Sequence, residues 1–583
     1  MKQLIKQNLA VAVKGFLQDS NILLDSLPLI TLDHVKDTRH GDLASNIAML
    51  LAKPAGLAPR KLAEGILSFF PATQGLDKTE IAGPGFINFF LSKTAYLQII
   101  PEILSAGENY GKSSAGSGRK ILLEYVSSNP NGPIHVGHGR GAAYGSVLAK
   151  LLDTAGFDVT TEYYVNDAGR QMDILTVSVW IRLLQNQNGL NINFPANAYQ
   201  GKYVETIAAD FNQTNKKLSL PDTSALSSLL DQQLDEDKKI DQVITLAKST
   251  LGQHVYASLF DFSLKQMLAE IRDDLSAFGV TFDNWFSERS LITNGAVAAC
   301  IARLEAKGDI YENDGAKWFC STRYGDEKDR VVVRENGQMT YFASDIAYHL
   351  NKFERGFDEV IDIWGADHHG YIPRVKGAIA ALGMDPGKLT VLLVQFATLY
   401  KGDQKLQMST RSGEFVSLNE LRAEVGNDAA RFFYVTRKSE QHLDFDLELA
   451  KSQSNDNPVY YIQYAYARIC SVFKQLQDRG MPFDQLSAVN NLAALTEPNE
   501  AALVKTLSRY TELIVTAAFN REPHMLAFYL RDLANDFHTY YNSCQFLVDD
   551  INVRQARLCL ILATKQIIRN GLGLLGVSAP EEM

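Results

Sequence analysis

Apolar and polar residues are arranged in blocks along the chain, and one block has the pattern of a strand followed by a helix. Residues 121–126 (ILLEYV) form a short apolar run, which is typical of a buried strand in a parallel sheet. The turn formers at 127–130 (SSNP) end this run, and an alanine-rich helical pattern occupies 141–155. We therefore predict a strand, a turn and a helix in succession.

Similar runs elsewhere predict that this strand belongs to a larger sheet. Residues 159–165, 360–364 and 390–399 are further apolar strands. Between them, the stretch at about 184–327 is more polar and has long helical patterns, so we predict a mainly helical insertion after which the sheet resumes near Arg330. This alternation is typical of a Rossmann-like parallel-sheet domain of the α/β class.

The flanking regions have different patterns. Helical segments and a turn that leads into a strand at 82–91 predict a small α+β domain at the N-terminus, which ends at a Gly/Ser-rich break. Helical periodicity at 460–473 and 523–545 predicts an all-α bundle at the C-terminus. We place the domains at 1–112, 113–410 with the insertion inside it, 411–455 as a connecting region, and 456–583.

Composition excludes some classes of protein. With 583 residues, 46% hydrophobic and 21% charged, the chain is typical of a soluble multidomain protein. The net charge of −10 argues against nonspecific coating of nucleic acid, although a local basic surface could still bind RNA. The five cysteines are scattered without a CxxC pair, and no apolar stretch has the unbroken length of a membrane span. We expect a cytoplasmic protein without a signal peptide.

Two histidines stand where the predicted turn meets the predicted helix. His135 and His138 accompany Gly137 and Gly139, and the N–H groups and dipole of a helix start attract anions. Such histidines can donate hydrogen bonds to a triphosphate during displacement at the α-phosphorus. A lone HxGH pair is more often a satisfied turn or core pair, but its register with the strand and helix favours nucleotide binding.

This segment resembles a known family. HVGH at 135–138 is similar to the HIGH signature of class I aminoacyl-tRNA synthetases, and 124–141 (EYVSSNPNGPIHVGHGRG) resembles the arginyl-tRNA synthetase version. The resemblance implies activation of L-arginine by ATP with Mg²⁺ and transfer to the 3′-terminal adenosine of tRNA(Arg), with activation dependent on bound tRNA. It implies neither a protein-held metal nor a membrane, and we expect a monomer.

A second segment, 401–414 (KGDQKLQMSTRSGE), resembles the mobile KMSKS loop of this family, with Met408 and Ser409 aligned. Gln407 and Thr410 replace both lysines and leave Arg411 as the cation within the motif. Some arginyl enzymes carry a compensating lysine just before the HIGH motif, but Gly132 occupies that position here. Arg411, Lys405 and Mg²⁺ are the candidates for neutralising pyrophosphate.

Recognition of a guanidinium requires carboxylates at defined positions. Glu124 and Asp345 can face the cleft, and their alternatives are a strand-end charge and a helix cap. The resemblance implies that these two residues, Asn129, Tyr341 and His138 bind arginine, and that Ser409 and Arg411 join the histidines in catalysis. It further implies that ATP contacts His135, Gly137, His138, Gly139, Gly365, Asp367, His368, Met408 and Ser409.

Two more stretches are similar to RNA-binding parts of the family. Residues 41–46 and 82–88 resemble an N-terminal domain that contacts the tRNA elbow, which implicates Asn46. Residues 426–435 resemble the DALR-type signature, and the family pattern places Tyr464 and Met583 against the anticodon. A bundle core explains most aromatic rings of this region, although some can stack on bases.

Three alternatives remain at this point. Asp367, His368 and His369 could be metal ligands, but without a further partner at usable spacing we expect nucleotide contacts instead. The chain could be another nucleotidyl-transferring ligase that acts on a small molecule. It could also be a noncatalytic tRNA-binding relative, because its KMSKS-like loop is altered.

Overall fold

The computed structural model describes residues 1–24, 26–35, 37–188, 194–215, 224–402, 404–405 and 416–583. These residues form a small N-terminal domain, a parallel-sheet domain with a helical insertion, and a C-terminal bundle of helices. The predicted fold class is confirmed. The predicted domain boundaries stay predictions.

The N-terminal domain packs helices against an antiparallel sheet of strand order β1-β2-β4-β3. Its elements are α1 (Lys2–Asp19), β1 (Asp33–His34), β2 (Leu43–Ser45), α2 (Ile47–Ala55), α3 (Pro59–Ser68), β3 (Leu76–Ala82) and β4 (Phe86–Leu91). Apolar side chains between Ile5 and Phe89 form a separate core. Two short helices, α4 (Lys93–Leu97) and α5 (Ile99–Ala106), then connect this domain to the remainder.

A parallel sheet of strand order β12-β11-β5-β6-β7 forms the centre of the molecule. Its strands are β5 (Lys120–Glu124), β6 (Asp158–Val165), β7 (Asn284–Ser287), β11 (Glu359–Gly365) and β12 (Leu389–Val394). Helix α6 (Val136–Thr154) connects β5 to β6, so the predicted strand–turn–helix unit lies at the middle of the sheet. The carboxyl ends of β5 and β11, which are neighbours, therefore meet at one edge.

The insertion between β6 and β7 is helical and has its own core, built from apolar residues between Met172 and Met267. Its helices are α7 (Arg170–Asn188), α8 (Lys202–Thr214), α9 (Ser224–Leu230) and α10 (Glu236–Ala277). Gly252, at φ 69°, interrupts the helical conformation of α10. The insertion thus packs largely on itself beside the sheet.

A mixed region leads from β7 back to the sheet. It contains α11 (Glu288–Thr293), α12 (Ala296–Ala306), β8 (Ile310–Asn313), β9 (Ala316–Phe319), β10 (Arg330–Val333) and α13 (Tyr341–Glu354). Strands β8, β9 and β10 form a separate antiparallel sheet of order β10-β9-β8. This sheet packs its inner face, including Phe319, against α12 and α13.

Two sequence interpretations of the sheet are wrong. The sheet resumes at β7 rather than near Arg330, because β7 pairs in parallel with β6; the four residues of β7 (NWFS) are too few to show an apolar run. The run at 390–399 is two strands, since β12 ends at Val394. After Gln395 and Phe396, β13 (Ala397–Lys401) pairs with β14 (Gln404–Lys405) and β15 (Leu443–Asp446) in another sheet.

The C-terminal bundle shares its hydrophobic core with the parallel sheet. After α14 (Ile372–Ala381), the remaining helices are α15 (Leu418–Val425), α16 (Asn427–Tyr434), α17 (Leu447–Lys451), α18 (Pro458–Asp478), α19 (Gln485–Ala488), α20 (Pro498–Leu507), α21 (Tyr510–Asn520), α22 (His524–Ser543) and α23 (Ile551–Leu575). Helix α23 is long and apolar enough to meet a length-and-hydropathy criterion for a membrane span. It packs against α18, α20 and α22 with most of its apolar side chains buried, as a core helix does.

Two buried arginines join the sheet domain to the elements that follow it. Arg140 of α6 donates to the carbonyl oxygens of Gln395 and Gln441 at 2.8 and 2.7 Å and to that of Lys438 at 2.8 Å. Arg431 of α16 donates to the carbonyl oxygen of Phe278 at 2.7 Å, to that of Leu575 at 3.0 Å and to Ser146 Oγ at 2.8 Å. We call this region the arginine seam.

Candidate active site

Glu124, His135 and His138, three of the predicted site residues, lie at the carboxyl edge of the parallel sheet, where open α/β sheets bind ligands. Glu124 is the last residue of β5, and the turn after it leads to the first residues of α6. Val126 and Ser127 in this turn have φ angles of 70° and 42°. A β-branched residue in this left-handed region is strained, so the turn is held in place by its surroundings.

Ser127 shows what the strained turn achieves. Its Oγ donates to Glu124 Oε1 at 2.7 Å and accepts the backbone N–H of Tyr164 at 3.1 Å. The side chain therefore fixes one oxygen of Glu124 relative to the neighbouring strand β6. The strained residues Val126 and Ser127 therefore lie close to Glu124, whose carboxylate Ser127 orients.

His135 and His138 lie at the start of α6. His135 Nδ1 accepts the backbone N–H of Gly137 at 3.1 Å and so caps the helix. The two imidazole rings are partly exposed, and their centroids are 3.8 Å apart. Burial lowers the pKa of both rings, that of His138 to about 3 with a further contribution from His135. Both histidines are therefore neutral at pH 7.

The tautomer of His138 follows from its buried nitrogen. Nδ1 is buried and has no hydrogen-bond partner within the part of the chain that the structure describes. Placing the ring proton on Nε2 avoids a buried donor without an acceptor, which would be costly. This tautomer gives His138 an Nε2–H group that can donate to a phosphate or carboxylate oxygen.

The glycines of the signature have different reasons to be glycine. A Cβ at Gly137 would lie 2.8 Å from His135 Cε1, so a side chain there would displace the capping ring. A Cβ at Gly139 would lie 2.8 Å from the ring of Tyr434, whose hydroxyl donates to the carbonyl oxygen of Val136 at 2.9 Å. Gly139 thus permits close packing of α6 against α16. Contact of its backbone with ATP stays a prediction.

Buried charges fix the predicted arginine pocket from beneath. Lys352 of α13 is fully buried; its ammonium donates to Glu124 Oε2 and, at 2.7 Å, to Asp362 Oδ1. Asp362 lies within β11 and its other oxygen contacts His349 Nε2 at 3.0 Å. Although burial alone would raise the pKa of Asp362, Lys352 and His349 lower it. Asp362 is therefore ionised and holds both side chains.

The same network reaches Asp345. His349 Nδ1 lies 2.8 Å from the backbone carbonyl oxygen of Asp345, and the hydroxyl of Tyr371 donates to the Asp345 carboxylate. Burial raises the pKa of Asp345, while Tyr371 opposes this shift. Glu124 and Asp345 are thus linked through three side chains of α13 and β11. We call Glu124, His349, Lys352 and Asp362 the charge network.

The other predicted arginine contacts lie around this network. Tyr341 begins α13 and is 52% exposed, so its ring is accessible for stacking. Asn129 lies 3.0 Å from the side chain of Asn166. Asp167, just after β6, accepts from Ser287 Oγ at 2.6 Å and from the backbone N–H of Arg289 at 2.8 Å. These bonds join the end of β6 to the end of β7.

The predicted ATP contacts divide into described and undescribed residues. Asp367 and His368 are exposed in a 3-10 turn at Ala366–Tyr371, and a Cβ at Gly365 would lie 2.5 Å from Asp367 Oδ1. Met408, Ser409 and Arg411 lie outside the described residues, whereas Lys405 is exposed at the end of β14. Within the described chain, no group of three or more His, Cys, Asp or Glu residues could hold a metal ion.

The predicted tRNA contacts lie in the flanking domains, away from the cleft. Tyr464 of α18 is covered by the guanidinium of Arg468 at 4.3 Å and lies 5.6 Å from the ring of His538. Met583 is half exposed and lines a cavity of about 530 Å³ together with Tyr460 and Gln463 of α18. Asn46 precedes α2 in the N-terminal domain. Their roles stay predictions.

Sequence reasoning missed several residues of the cleft. His349 and Lys352 follow the predicted Asp345 at helical spacing on α13, and Asp362 interrupts an apolar strand, so the sequence did contain a signal for these three missed residues. Glu288, which begins α11 beside β7, had no such signal, because β7 itself was not predicted.

Three family models match the chain. The arginyl tRNA synthetase N terminal domain matches residues 1–91, the catalytic domain of class I (R) tRNA synthetases matches 99–444, and the DALR anticodon binding domain matches 462–583. The catalytic-domain match alone covers more than half of the chain.

Full-length relatives agree with these matches. The protein named arginine–tRNA ligase of Thioalkalivibrio sulfidiphilus is 55% identical over 587 residues, and that of Hydrogenovibrio crunogenus is 52% identical over 593 residues, with 100% of both chains covered in each case. A putative arginyl tRNA synthetase structure from Campylobacter jejuni aligns with a TM-score of 0.73 and 32% identity over 85% of this chain and 100% of its own. The Thermus thermophilus arginyl-tRNA synthetase, at 22% identity and a TM-score of 0.74 over all of both chains, supports the fold.

Proposed function

Since the chain belongs to the arginyl-tRNA synthetase family and catalyses ATP-dependent attachment of L-arginine to tRNA(Arg), we propose which residues of the cleft perform each step. The observation that carries the proposal is that two linked carboxylates and a neutral histidine pair both lie at the carboxyl edge of one sheet.

In this proposal Glu124 and Asp345 hold the guanidinium of the substrate. The carboxylates of this region outnumber its buried ammonium within the described residues, so the pocket is negative before arginine enters. Tyr341 stacks on the guanidinium, and Asn129 and His138 contact the backbone end of the amino acid. A substrate lysine leaves part of this hydrogen-bonding capacity unused, and discrimination of roughly 10⁴-fold is within reach of such a site.

Activation then proceeds by attack of the arginine carboxylate on the α-phosphorus of ATP, with pyrophosphate leaving in line. His135 and His138, as neutral donors, stabilise the charge that develops on the phosphate oxygens, together with the N–H groups at Gly137 and Gly139. We assign the adenosine side to Gly365, Asp367 and His368. No covalent bond to the protein is needed, so positioning and electrostatics supply the acceleration.

The predicted KMSKS-like loop is our candidate for binding the pyrophosphate part of ATP. We propose that Met408, Ser409 and Arg411 close over the phosphates, and that Mg²⁺ arrives with ATP as part of the substrate. Lys405, at the exposed end of β14, is the described cation of segment 401–414 that is nearest in sequence to Met408. The altered loop makes the position of the neutralising charge a question for experiment.

Transfer follows when the terminal adenosine hydroxyl of tRNA attacks the arginyl carbonyl and AMP leaves. We propose that Asn46 contacts the tRNA elbow and that Tyr464 and Met583 contact the anticodon. We further propose that the protein works as a monomer in the cytoplasm, with domains divided at about residues 112, 410 and 455. Light scattering of the full chain, alone and with tRNA, tests the monomer.

The test of function is charging of bulk tRNA with each radiolabelled amino acid in turn. We expect charging with arginine and none with lysine. Pyrophosphate exchange with and without tRNA then tests the dependence of activation on tRNA, because full exchange without tRNA would contradict it. Binding of tRNA without any charging would contradict the roles proposed for the residues of the cleft.

A further inference from the structure

The turn between β5 and α6 is anchored on both sides of Asn129, which the proposed function places at the backbone end of arginine. On one side, the hydroxyl of Tyr163 donates to the carbonyl oxygen of Ser128 at 2.8 Å, which ties the turn to β6. On the other side lies Asn131, whose backbone N–H donates to the carbonyl oxygen of Asn129 at 2.8 Å. The position of Asn129 therefore depends on what holds Asn131.

Side chains of the helical insertion hold Asn131. Its Nδ2 donates at 2.8 Å to Tyr199 Oη and, also at 2.8 Å, to Gln171 Oε1. Tyr203 Oη donates to the carbonyl oxygen of Asn131 at 2.8 Å. A Cβ at Gly132, the next residue, would lie 3.3 Å from Tyr203 Oη, so this tyrosine covers the turn closely. Both the side chain and the main chain of Asn131 are thus bound to the insertion.

The two tyrosines are themselves fixed within the insertion. Tyr199 precedes α8, and its backbone N–H donates at 3.0 Å to Oγ of Ser178, a buried residue of α7. Tyr203 is the second residue of α8, and both rings pack against the apolar core of the insertion. The insertion also reaches a second predicted arginine contact, because a Cβ at Gly169, just before α7, would lie 3.1 Å from Tyr341 Oη. It therefore borders the predicted pocket on two sides.

A turn that contains two left-handed residues needs contacts with its surroundings to stay in one conformation. We propose that Tyr199 and Tyr203 are positioning residues, which hold Asn131 so that the turn presents Asn129 to the amino acid. The affinity for arginine thus depends on hydroxyl groups of an insertion that has its own core outside the parallel sheet. This inference rests on the proposed role of Asn129. If the same bonds only attached the insertion to the sheet, their loss would change stability without changing arginine binding.

Steady-state charging of tRNA(Arg) by the full chain separates these two roles. With saturating ATP and tRNA, we expect Y199F and Y203F each to raise the KM for arginine about fivefold, the usual scale for one lost hydrogen bond, and to leave kcat little changed. Y256F is the matched control, because its hydroxyl donates to Asp173 at 2.6 Å and joins α10 to α7 within the insertion. This control should lower the urea midpoint and leave the KM unchanged.

A double-mutant cycle with Asn131 tests whether the tyrosines act through this residue. N131A removes Nδ2 but keeps the carbonyl oxygen. Adding Y199F to N131A should therefore have no further effect, whereas adding Y203F should still raise the KM about fivefold. The inference is overturned by wild-type KM values in Y199F and Y203F, by an equal rise in Y256F, or by an undiminished effect of Y199F in N131A.

N129A distinguishes failure of this inference from failure of the proposed function. We expect it to raise the KM for arginine by roughly tenfold or more, because it removes a hydrogen bond to a charged group of the substrate. A raised KM in N129A beside wild-type values in both tyrosine variants would overturn the inference alone. A wild-type KM in N129A would overturn the proposed role of Asn129 as well.

Discussion

The cleft and the arginine seam both bury basic side chains, but the partners of these side chains differ in kind. In the cleft, Lys352 contacts the carboxylates of Glu124 and Asp362. At the seam, Arg140 and Arg431 contact backbone carbonyl oxygens and one hydroxyl. Burial lowers the pKa of both arginines to about 10, whereas the two carboxylates outweigh burial and raise the pKa of Lys352.

This difference separates two tasks. Carbonyl partners do not titrate, so the seam holds α6 and α16 at a fixed spacing whatever the pH. The charge network consists of groups that titrate or exchange partners, so a charged substrate can alter its balance. The arginine seam therefore keeps α6 and α16 in position, whereas the cleft holds negative charge that a substrate cation can neutralise.

The largest expected effect is on stability, and it tests this distinction directly. Lys352→Met leaves Glu124 and Asp362 buried without their cation, which should cost roughly 3–5 kcal/mol at pH 8 and less at pH 5, where the carboxylates take up protons. Arg431→Met leaves carbonyl oxygens without donors, which should cost about 1–3 kcal/mol of stability for each oxygen. This loss should be the same at both pH values. The measurement is the urea midpoint of each variant relative to the wild type.

The control for this pair is Lys248→Met, which removes an exposed ammonium paired with Asp173 and should change stability by less than about 1 kcal/mol. If the Lys352 and Arg431 variants showed the same dependence on pH, the contrast between the two regions would be wrong.

The next effect is on the rate of chemistry. His138→Ala should lower the rate of arginyl-adenylate formation by roughly 10²- to 10³-fold, because a donor that serves the transition state is lost. Pyrophosphate exchange in the presence of tRNA measures it, and His254→Ala, on an exposed face of α10, is the matched control. Near-wild-type exchange by the His138 variant would remove this residue from the mechanism.

A third effect is a gain in stability from Glu288→Gln. The pKa of Glu288 in the folded protein, about 7, exceeds the ordinary value of 4.5, so the folded state binds the proton more tightly than the unfolded state. Stability from this group is present below pH 4.5 and is lost as the pH rises through 7. The free energy of unfolding of the variant should therefore exceed that of the wild type by up to about 3 kcal/mol at pH 8. Below pH 4.5 the two values should be equal.

The urea midpoint measured from pH 4 to pH 8 gives the Glu288 result. A constant difference between variant and wild type across this range would show that Glu288 does not titrate as described. Asp536→Asn, which removes an acid of raised pKa on α22 outside the cleft, serves as the comparison.

The smallest expected effect concerns positioning. Asp362→Asn keeps the shape of the side chain but loses the charge that holds Lys352 and His349, so Glu124 and Asp345 should lose their fixed spacing. We expect the KM for arginine to rise about tenfold, ~1.4 kcal/mol, with kcat little changed. Asp358→Asn, at the residue just before β11, should leave KM unchanged. A fall in kcat alone would contradict a positioning role.

The sequence predicts those parts of the site that lie within one segment. The strand that ends at Glu124 and the helix that starts near His135 follow from local patterns, and both are present. Their partners could not be predicted in this way. Lys352 is 228 residues from Glu124 in the chain, and only the pairing of β5 with β11 brings α13 beneath it.

The errors have equally local causes. Four residues are too few for β7 to show a period, and without β7 the cleft position of Glu288 could not be inferred. The run at 390–399 is apolar almost throughout, so the sequence gives no sign that the chain leaves one sheet for another at Gln395 and Phe396. The predicted roles of Met408, Ser409 and Arg411 stay predictions, because these residues lie outside the described chain.

The turn at Val126 and Ser127 has a consequence for engineering this protein. Left-handed backbone at a valine costs of order 1–3 kcal/mol, and glycine there would relieve it at a cost of about 0.5–1 kcal/mol in chain entropy. Selection for heat resistance alone would therefore favour Val126→Gly. The same change would also loosen Ser127, whose hydroxyl orients Glu124. A variant selected in this way should therefore discriminate less well between arginine and other amino acids while it stays folded.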